Sequence, residues 1–267
     1  MNKPKHLSLR GLGICLSVSA IVLFSGCATT SGSNVTVSAP TLMTTAGFLT
    51  DYARLKSNPD IGGTECWRAP AIDASKYDKV LISRILVSLA PAKKEDSPKA
   101  IDPSDLTLLT DYFHKALTKN LEKQMTVVDK AGPGVLVIRI ALTDLVPTQV
   151  SRSVAGTLIP YGFVAEAGSG VAAGLPAGST PYLGETGMEM QFRDGASNTV
   201  LAECRDTQIG RKYAADVDAG ASGATETWVD GYMNSFQSWS YAKNAMDKWS
   251  LLLATRLAHL RGVTPTK

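Results

Sequence analysis

The sequence predicts an α+β fold: a single domain whose mixed sheet of about five strands, in the order β-α-β-β-β-β-α, carries two packed helices. Two observations lead there. Two segments repeat apolar residues at spacings of three and four, the mark of a helix with one buried face. Between them lie stretches of alternating or continuous apolar residues bounded by turn formers, which read as strands.

The N-terminus is set apart from this domain. Lys3, Lys5 and Arg10 precede the uncharged apolar run Gly11 to Phe24, and the small residues Ser25 and Gly26 follow before Cys27. Basic, apolar and small-residue regions in that order are the grammar of an export signal. The apolar run has 14 residues, whereas crossing a bilayer takes about 20, so the expected role is export, with removal of residues 1–26. Those three cations carry the whole formal excess of +3, and 24 basic and 24 acidic side chains remain behind them. A neutral chain lacks the positive field that nucleic-acid binding requires, and that class is excluded.

Leu23-Phe24-Ser25-Gly26-Cys27 resembles the lipobox of bacterial lipoproteins, with Phe24 where leucine is commonest. The resemblance implies lipidation of the Cys27 sulfur, cleavage after Gly26 and acylation, commonly by palmitate, of the new amino group. Ala28, in place of an inner-membrane retention Asp, implies sorting to the periplasmic face of the outer membrane. The lipid bilayer is thus the first partner expected. Residues 28–45 contain no charge and are rich in Ser and Thr. Together with Cys27 they read as a lipidated flexible tether (27–45) whose 18 residues beyond the cysteine could extend about 60 Å.

The globular domain is expected over 46–262, followed by a short tail, 263–267. Tyr77 to Leu89 reads as a strand whose alternation changes phase near Ser83-Arg84, as at a bulge. Pro103-Ser104-Asp105 opens a helix with the apolar stripe Leu106, Leu109, Phe113, Leu117 and Leu121. A short strand around Met125 to Val128 and the breaker Ala131-Gly132-Pro133-Gly134 lead to Val135 to Leu145, apolar on both faces except at Arg139 and therefore central in the sheet. Glu185 to Asp194 alternates Met188, Met190 and Phe192 with Glu189, Gln191 and Arg193, and Thr199 to Arg205 returns as its hairpin partner. The last helix, from about Ser238 to His259, turns Trp239, Ala242, Met246, Trp249, Leu253, Leu257 and Leu260 inward.

Several stretches resemble an uncharacterised lipoprotein family known as domain of unknown function 3313. They are Gly47-Phe48-Leu49 with Asp51-Tyr52, Tyr77-Asp78-Lys79-Val80, Asp111-Tyr112-Phe113, Gly132-Pro133-Gly134-Val135-Leu136, Ala141-Leu142-Thr143-Asp144 and the helix of Trp239 and Trp249. The similarity runs from about Ala46 to Leu260, and Asp216 to Gln237 looks like an insertion longer than the family usually has. It implies a single lipoprotein domain and supplies no activity.

Ser153 to Gly184 holds one charge, Glu166, in 32 residues. Gly170, Gly174 and Gly178 have the small-xxx-small spacing of close backbone packing, which suggests a membrane-touching or self-associating hairpin. Pro160, Pro176 and Pro181 favour a long loop lying on the sheet instead. Cys66 and Cys204 are the thiols left after Cys15 and Cys27; in an oxidising compartment they are a disulfide candidate, with a buried free Cys204 as the alternative.

No catalytic, cofactor-binding or metal site is expected. His6 leaves with the signal, and His114 and His259 lie on helices without companions at metal spacing. Asp129, Asp144, Asp194 and Asp206 fall at expected strand ends, where Asp serves turns. The functional expectation is a non-enzymatic interaction or accessory module of the envelope, meeting a protein partner through its sheet face, its loops or the Trp67, Trp228 and Tyr232 regions. The alternative is a ligand-binding or weakly enzymatic lipoprotein with a pocket near the Gly-rich segment 153–184.

Overall fold

A computed structural model describes residues 35–58, 61–88, 101–158, 169–176, 178–180, 182–212, 220–235 and 237–263. In chain order the elements are β1 (Thr36–Ser38), β2 (Lys56–Ser57), β3 (Glu65–Arg68), β4 (Lys79–Ile82), β5 (Leu86–Val87), α1 (Pro103–Leu121), β6 (Thr126–Val127), β7 (Val135–Val146), α2 (Val150–Leu158), β8 (Glu185–Asp194), β9 (Val200–Gly210), α3 (Gly220–Asn234) and α4 (Ser240–Leu260). They form an α+β fold with one mixed sheet. Its main path runs β2-β3-β9-β8-β7-β4-β6, with β1 also on β9 and β5 also on β7. Strands β4, β5 and β6 join by parallel pairing and the rest pair antiparallel.

The expectation of about five strands is corrected to nine. The strands that were missed have two to four residues each, too short for a period of two to register. The expectation of two helices is likewise too low, because α2 and α3 form in the Gly-rich segment and in the insertion. Tyr77 to Leu89 divides into β4 and β5 with one residue more than its partner β7 between them: Ile82 pairs with Ile138, and Leu86 with Ala141. The change of phase near Ser83-Arg84 is that extra residue. The tether is shorter than its composition suggests, because Val35 and Ala39 are buried and Thr36–Ser38 pairs with Gln208–Gly210. Residues 1–34, including Cys27, lie outside the described residues.

Helices α1 and α4 pack side by side on one face of the sheet. Pro103 occupies the first turn of α1, and the Asp102 carboxylate caps it by accepting from the Ser104 amide. Leu109, Phe113, Leu117 and Leu121 are fully buried against Val80, Ile138, Ile140 and Met190. The helices meet through Phe113 and Trp249, whose ring centroids are 5.9 Å apart, and through Asn120 donating to Ser250 Oγ at 2.9 Å. The opposite face of the sheet is covered by the lead-in segment, residues 44–54.

Candidate functional site

The two faces of the β7-β8-β9 sheet differ in chemistry because the alternation of β8 and β9 sends Glu189 and Glu203 one way and Met188, Met190, Phe192 and Ala202 the other. On the lead-in face Glu189 and Glu203 are completely buried. Glu189 accepts from the amides of Ala46 (2.9 Å) and Phe48 (3.1 Å) and from the Tyr52 hydroxyl (2.8 and 2.9 Å). Glu203 accepts from the amide and hydroxyl of Thr50, from Gln191 Nε2 and from Arg54 at 2.6 Å. Burial pushes the Glu203 carboxyl up, but the hydrogen bonds from Arg54, Gln191 and Thr50 outweigh it and hold the group below its ordinary value. Arg54 also stacks over the Trp67 ring, 3.4 Å from its centroid. Tyr52 receives the Gly47 and Leu49 amides, and its own ionisation is pushed up by burial and by Glu189. These carboxylates satisfy the backbone of a segment that has no strand partner there. Theirs is a sealing role, with no lone pair directed at an open space.

On the helix face, Asp206 corrects the expectation of a turn residue. Strand β9 runs on to Gly210, so Asp206 lies inside it, 2% exposed. Ser38, Thr64, Gln208 and Trp249 donate to its carboxylate, Trp249 at 2.8 Å. Lys248 donates to Gln208 and to the Thr36 carbonyl beside it. Burial pushes the Lys248 amine below its ordinary value, and Asp206 pulls it partly back. This polar knot fastens β1 and α4 to β9. Asp144 likewise lies within β7, accepting from Thr44 and Thr143. Asp194 does serve the β8–β9 turn, accepting from the Ala196 and Ser197 amides as well as from Tyr77, and Asp129 is exposed beyond β6.

Between that knot and the C-terminal end of α4 the packing opens into a cavity of about 440 Å³. Its floor is Leu136, Met188, Met190, Phe192, Leu201 and Ala202 on the sheet; its roof is Trp249, Leu252, Leu253, Leu257 and Leu260 on α4. The β2–β3 hairpin and the turn around Ile72 and Ala74 close one side, where Cys66 and Cys204 form a disulfide, with Cα atoms 4.1 Å apart. These cysteines face each other directly in the β3–β9 register. The charged lining residues are Lys56, Arg68, Arg256 and Arg261, all cationic. Arg261 donates to the Gln124 carbonyl at 2.9 Å, while its Nε is buried without a partner. None of the described residues of 153–184 lines this cavity.

The remaining sequence candidates do not converge on a site. His114 and His259 are exposed on α1 and α4, and no cluster of metal-ligating side chains occurs among the described residues. Trp228 is 44% exposed and stacks on Tyr232 at 5.6 Å along α3, next to exposed Val229 and Met233. In the Gly-rich segment, a Cβ on Gly170 would fall 1.8 Å from the Ser179 carbonyl oxygen, so that glycine permits close chain packing. Among the described residues no helix is long and apolar enough to cross a membrane. Sequence reasoning missed the cavity and its arginines. The available signal was Arg256, three residues past Leu253 and four before Leu260, at the edge of the apolar stripe.

The fold and this site define an α+β domain with a helix pair on one sheet face, a sealed lead-in on the other and an apolar, cation-rimmed cavity. The chain belongs to the family described as Protein of unknown function (DUF3313), whose profile matches residues 44–253. It is also similar to the PelC dodecamer from Paraburkholderia phytofirmans, at 12% identity over 66% of this chain and 99% of that one, TM-score 0.30. A point variant of that dodecamer gives 11%, 65% and 95%, TM-score 0.31. A DUF4136 family protein from Bacteroides thetaiotaomicron gives 14%, 68% and 97%, TM-score 0.26. No curated protein matches the chain.

Proposed function

We propose that this protein is an envelope lipoprotein, held at the periplasmic face of the outer membrane by acylated Cys27, whose domain binds a small apolar-bodied ligand without transforming it. The cavity carries the reading. At about 440 Å³ it falls within the roughly 300–1,000 Å³ of small-molecule sites, which are mostly apolar with a few placed polar groups. A binding rather than catalytic role is supported by where the acids are: Glu189, Glu203 and Asp206 are consumed by structural hydrogen bonds, and among the described residues no carboxylate or histidine lines the cavity. The anchor is supported by the signal and lipobox residues that end at Cys27.

Each half has its own test. Clickable palmitate fed to growing cells should label the wild type and not Cys27→Ala; equal labelling removes the anchor. For the cavity, the purified mature protein is titrated with an environment-sensitive apolar fluorophore. Ala202→Phe, which fills space beside Phe192, should abolish the signal while leaving the fold as stable or more so. Unchanged binding by that variant places the probe elsewhere and removes the cavity.

A second reading, a docking module for an envelope protein, is favoured by exposed Trp228, Val229 and Met233 on α3. In-cell crosslinking from Trp228 that captures one defined partner, and loses it on Trp228→Ser/Met233→Ser, supports it. Self-association would appear as a crosslinked copy of the same chain.

A further inference from the structure

The geometry points to an anionic single-chain amphiphile as the ligand, with its acyl chain along α4 and its head group held by Arg256 and Arg68. This deepens the cavity reading above and rests on it. The charge pattern is the first observation. Among the described residues, every charged side chain lining the cavity is a cation, although the mature chain as a whole is balanced between acids and bases. Arg68, Arg256 and Lys56 make no ion pair or side-chain hydrogen bond among the described residues, whereas Arg54 and Arg205 on the opposite face are each paired with a buried or half-buried glutamate. Cations at the mouth of an apolar site that lack a protein partner are complementary to an anion on a greasy body.

The direction of the site is the second observation. Trp249 belongs to the middle of α4, while Arg256 stands just before its last turn and Arg261 is its C-cap. Arg68 ends β3, opposite Ala202 near the β8–β9 turn. Three of the four lining cations, Arg68, Arg256 and Arg261, therefore gather at one end, while the end at Trp249 is uncharged, with Thr64 beside the indole and both donating to Asp206. A chain inserted from the cationic end lies over Met188, Met190 and Phe192 and stops at the indole, which is itself fixed by Asp206. Each methylene removed from water strengthens binding about four-fold until the chain reaches that stop.

A neutral or zwitterionic ligand of the same shape is the alternative that the charges disfavour. Carboxylate and phosphate head groups share the required chemistry, and the experiment separates them.

Calorimetric titration of the purified mature protein compares dodecanoate, tetradecanoate and hexadecanoate with the matching alcohols and with a single-chain acylglycerol phosphate, all below their micelle-forming concentrations. We expect the acids to bind about ten-fold or more tightly than the alcohols, the usual effect of one charge-assisted hydrogen bond. The preference should shrink in high salt. Arg68→Gln/Arg256→Gln should remove the preference and leave alcohol binding unchanged. The tighter of hexadecanoate and acylglycerol phosphate names the head group. Equal affinity of acid and alcohol for the wild type overturns the anionic inference but keeps the cavity. Failure of every amphiphile, with the fluorophore also unbound, overturns the cavity reading itself. A preference that survives in the double variant assigns the anion to other cations and overturns the role of Arg68 and Arg256.

Discussion

Removing the Cys66–Cys204 bond tests the architecture and the cavity together. The two cysteines are separated by 138 residues, and closing a loop of that length restricts the unfolded chain by about 5 kcal/mol on the loop-entropy account. The folded state loses less. Strand β3 keeps its four register pairs with β9, and Arg205 still reaches Glu65 at 2.8 Å. The cost of Cys66→Ala/Cys204→Ala should therefore fall mainly on the unfolded side, within the measured range of about 2–5 kcal/mol for native bonds. With a urea dependence of about 3 kcal/mol per molar for a domain of this size, the unfolding midpoint should drop by about 0.7–1.7 M. The same shift should appear when wild type is unfolded in reductant, and reductant should do nothing further to the double variant. Because both cysteines line the cavity, binding of an apolar probe should also weaken. An unchanged midpoint in the double variant refutes the reasoning, since it would mean that the bond constrains no conformational freedom.

The lead-in clamp makes the next expectations. The lowered carboxyl of Glu203 contributes stability that is complete above its unfolded value of 4.5 and is lost as the pH falls through the still lower folded value; Glu203→Gln should flatten the decline in urea midpoint between about pH 5 and pH 3. Tyr52→Phe removes the hydroxyl donor that lies against both oxygens of Glu189 and strands the Gly47 and Leu49 amides, so it should cost about 1–3 kcal/mol and speed hydrogen exchange at Ala46 and Phe48, while probe binding in the cavity across the sheet stays intact. Gly210→Ala would set a Cβ 2.6 Å from the buried Tyr241 ring, an overpacking cost of about 1–3 kcal/mol; in Gly210→Ala/Tyr241→Leu the two costs should sum to less than their separate values by thermal unfolding.

What was legible in the sequence follows the length of each element. The stripe of α1 spans five turns and the alternation of β8 ten residues, so repeated periodicity outweighed local noise. Even the one-residue break between β4 and β5 was visible, because a bulge reverses the phase of every residue after it. Strands β1, β2 and β3 were not legible. Each is short and borrows its structure from a long neighbour, and in β1 the Ser and Thr that suggested a tether are the residues that tie it to Asp206 and β9. Asp206 was misplaced for a related reason. An expected strand end at Arg205 turned a buried aspartate into a turn residue, when its partners lie 43, 142 and 168 positions away. The cavity was invisible because a void is a property of how α4 and the sheet fail to meet. No local pattern records it, and only the cationic edge of the helix stripe pointed there.

The division of labour between the sheet faces explains why the acids and the cavity can share three strands. Burying Glu189 and Glu203 is tolerable only because backbone amides and Arg54 neutralise them locally, which leaves their charge little reach through the sheet. On the helix face Asp206 is likewise taken up by its own donors, and no carboxylate pairs with Arg68 or Arg256 among the described residues. The same order of elements sets the distance to the anchor. Eight steps of chain separate Cys27 from Val35, where the described residues begin, a maximum of about 28 Å, half the span that composition alone implied. From β1 the cavity is reached along β9, about seven residues or 23 Å from Ile209 to Ala202. With Cys27 acylated as proposed, the cavity stays within about 50 Å of its own bilayer, near enough for an amphiphile to be exchanged with that surface by local motion of the domain.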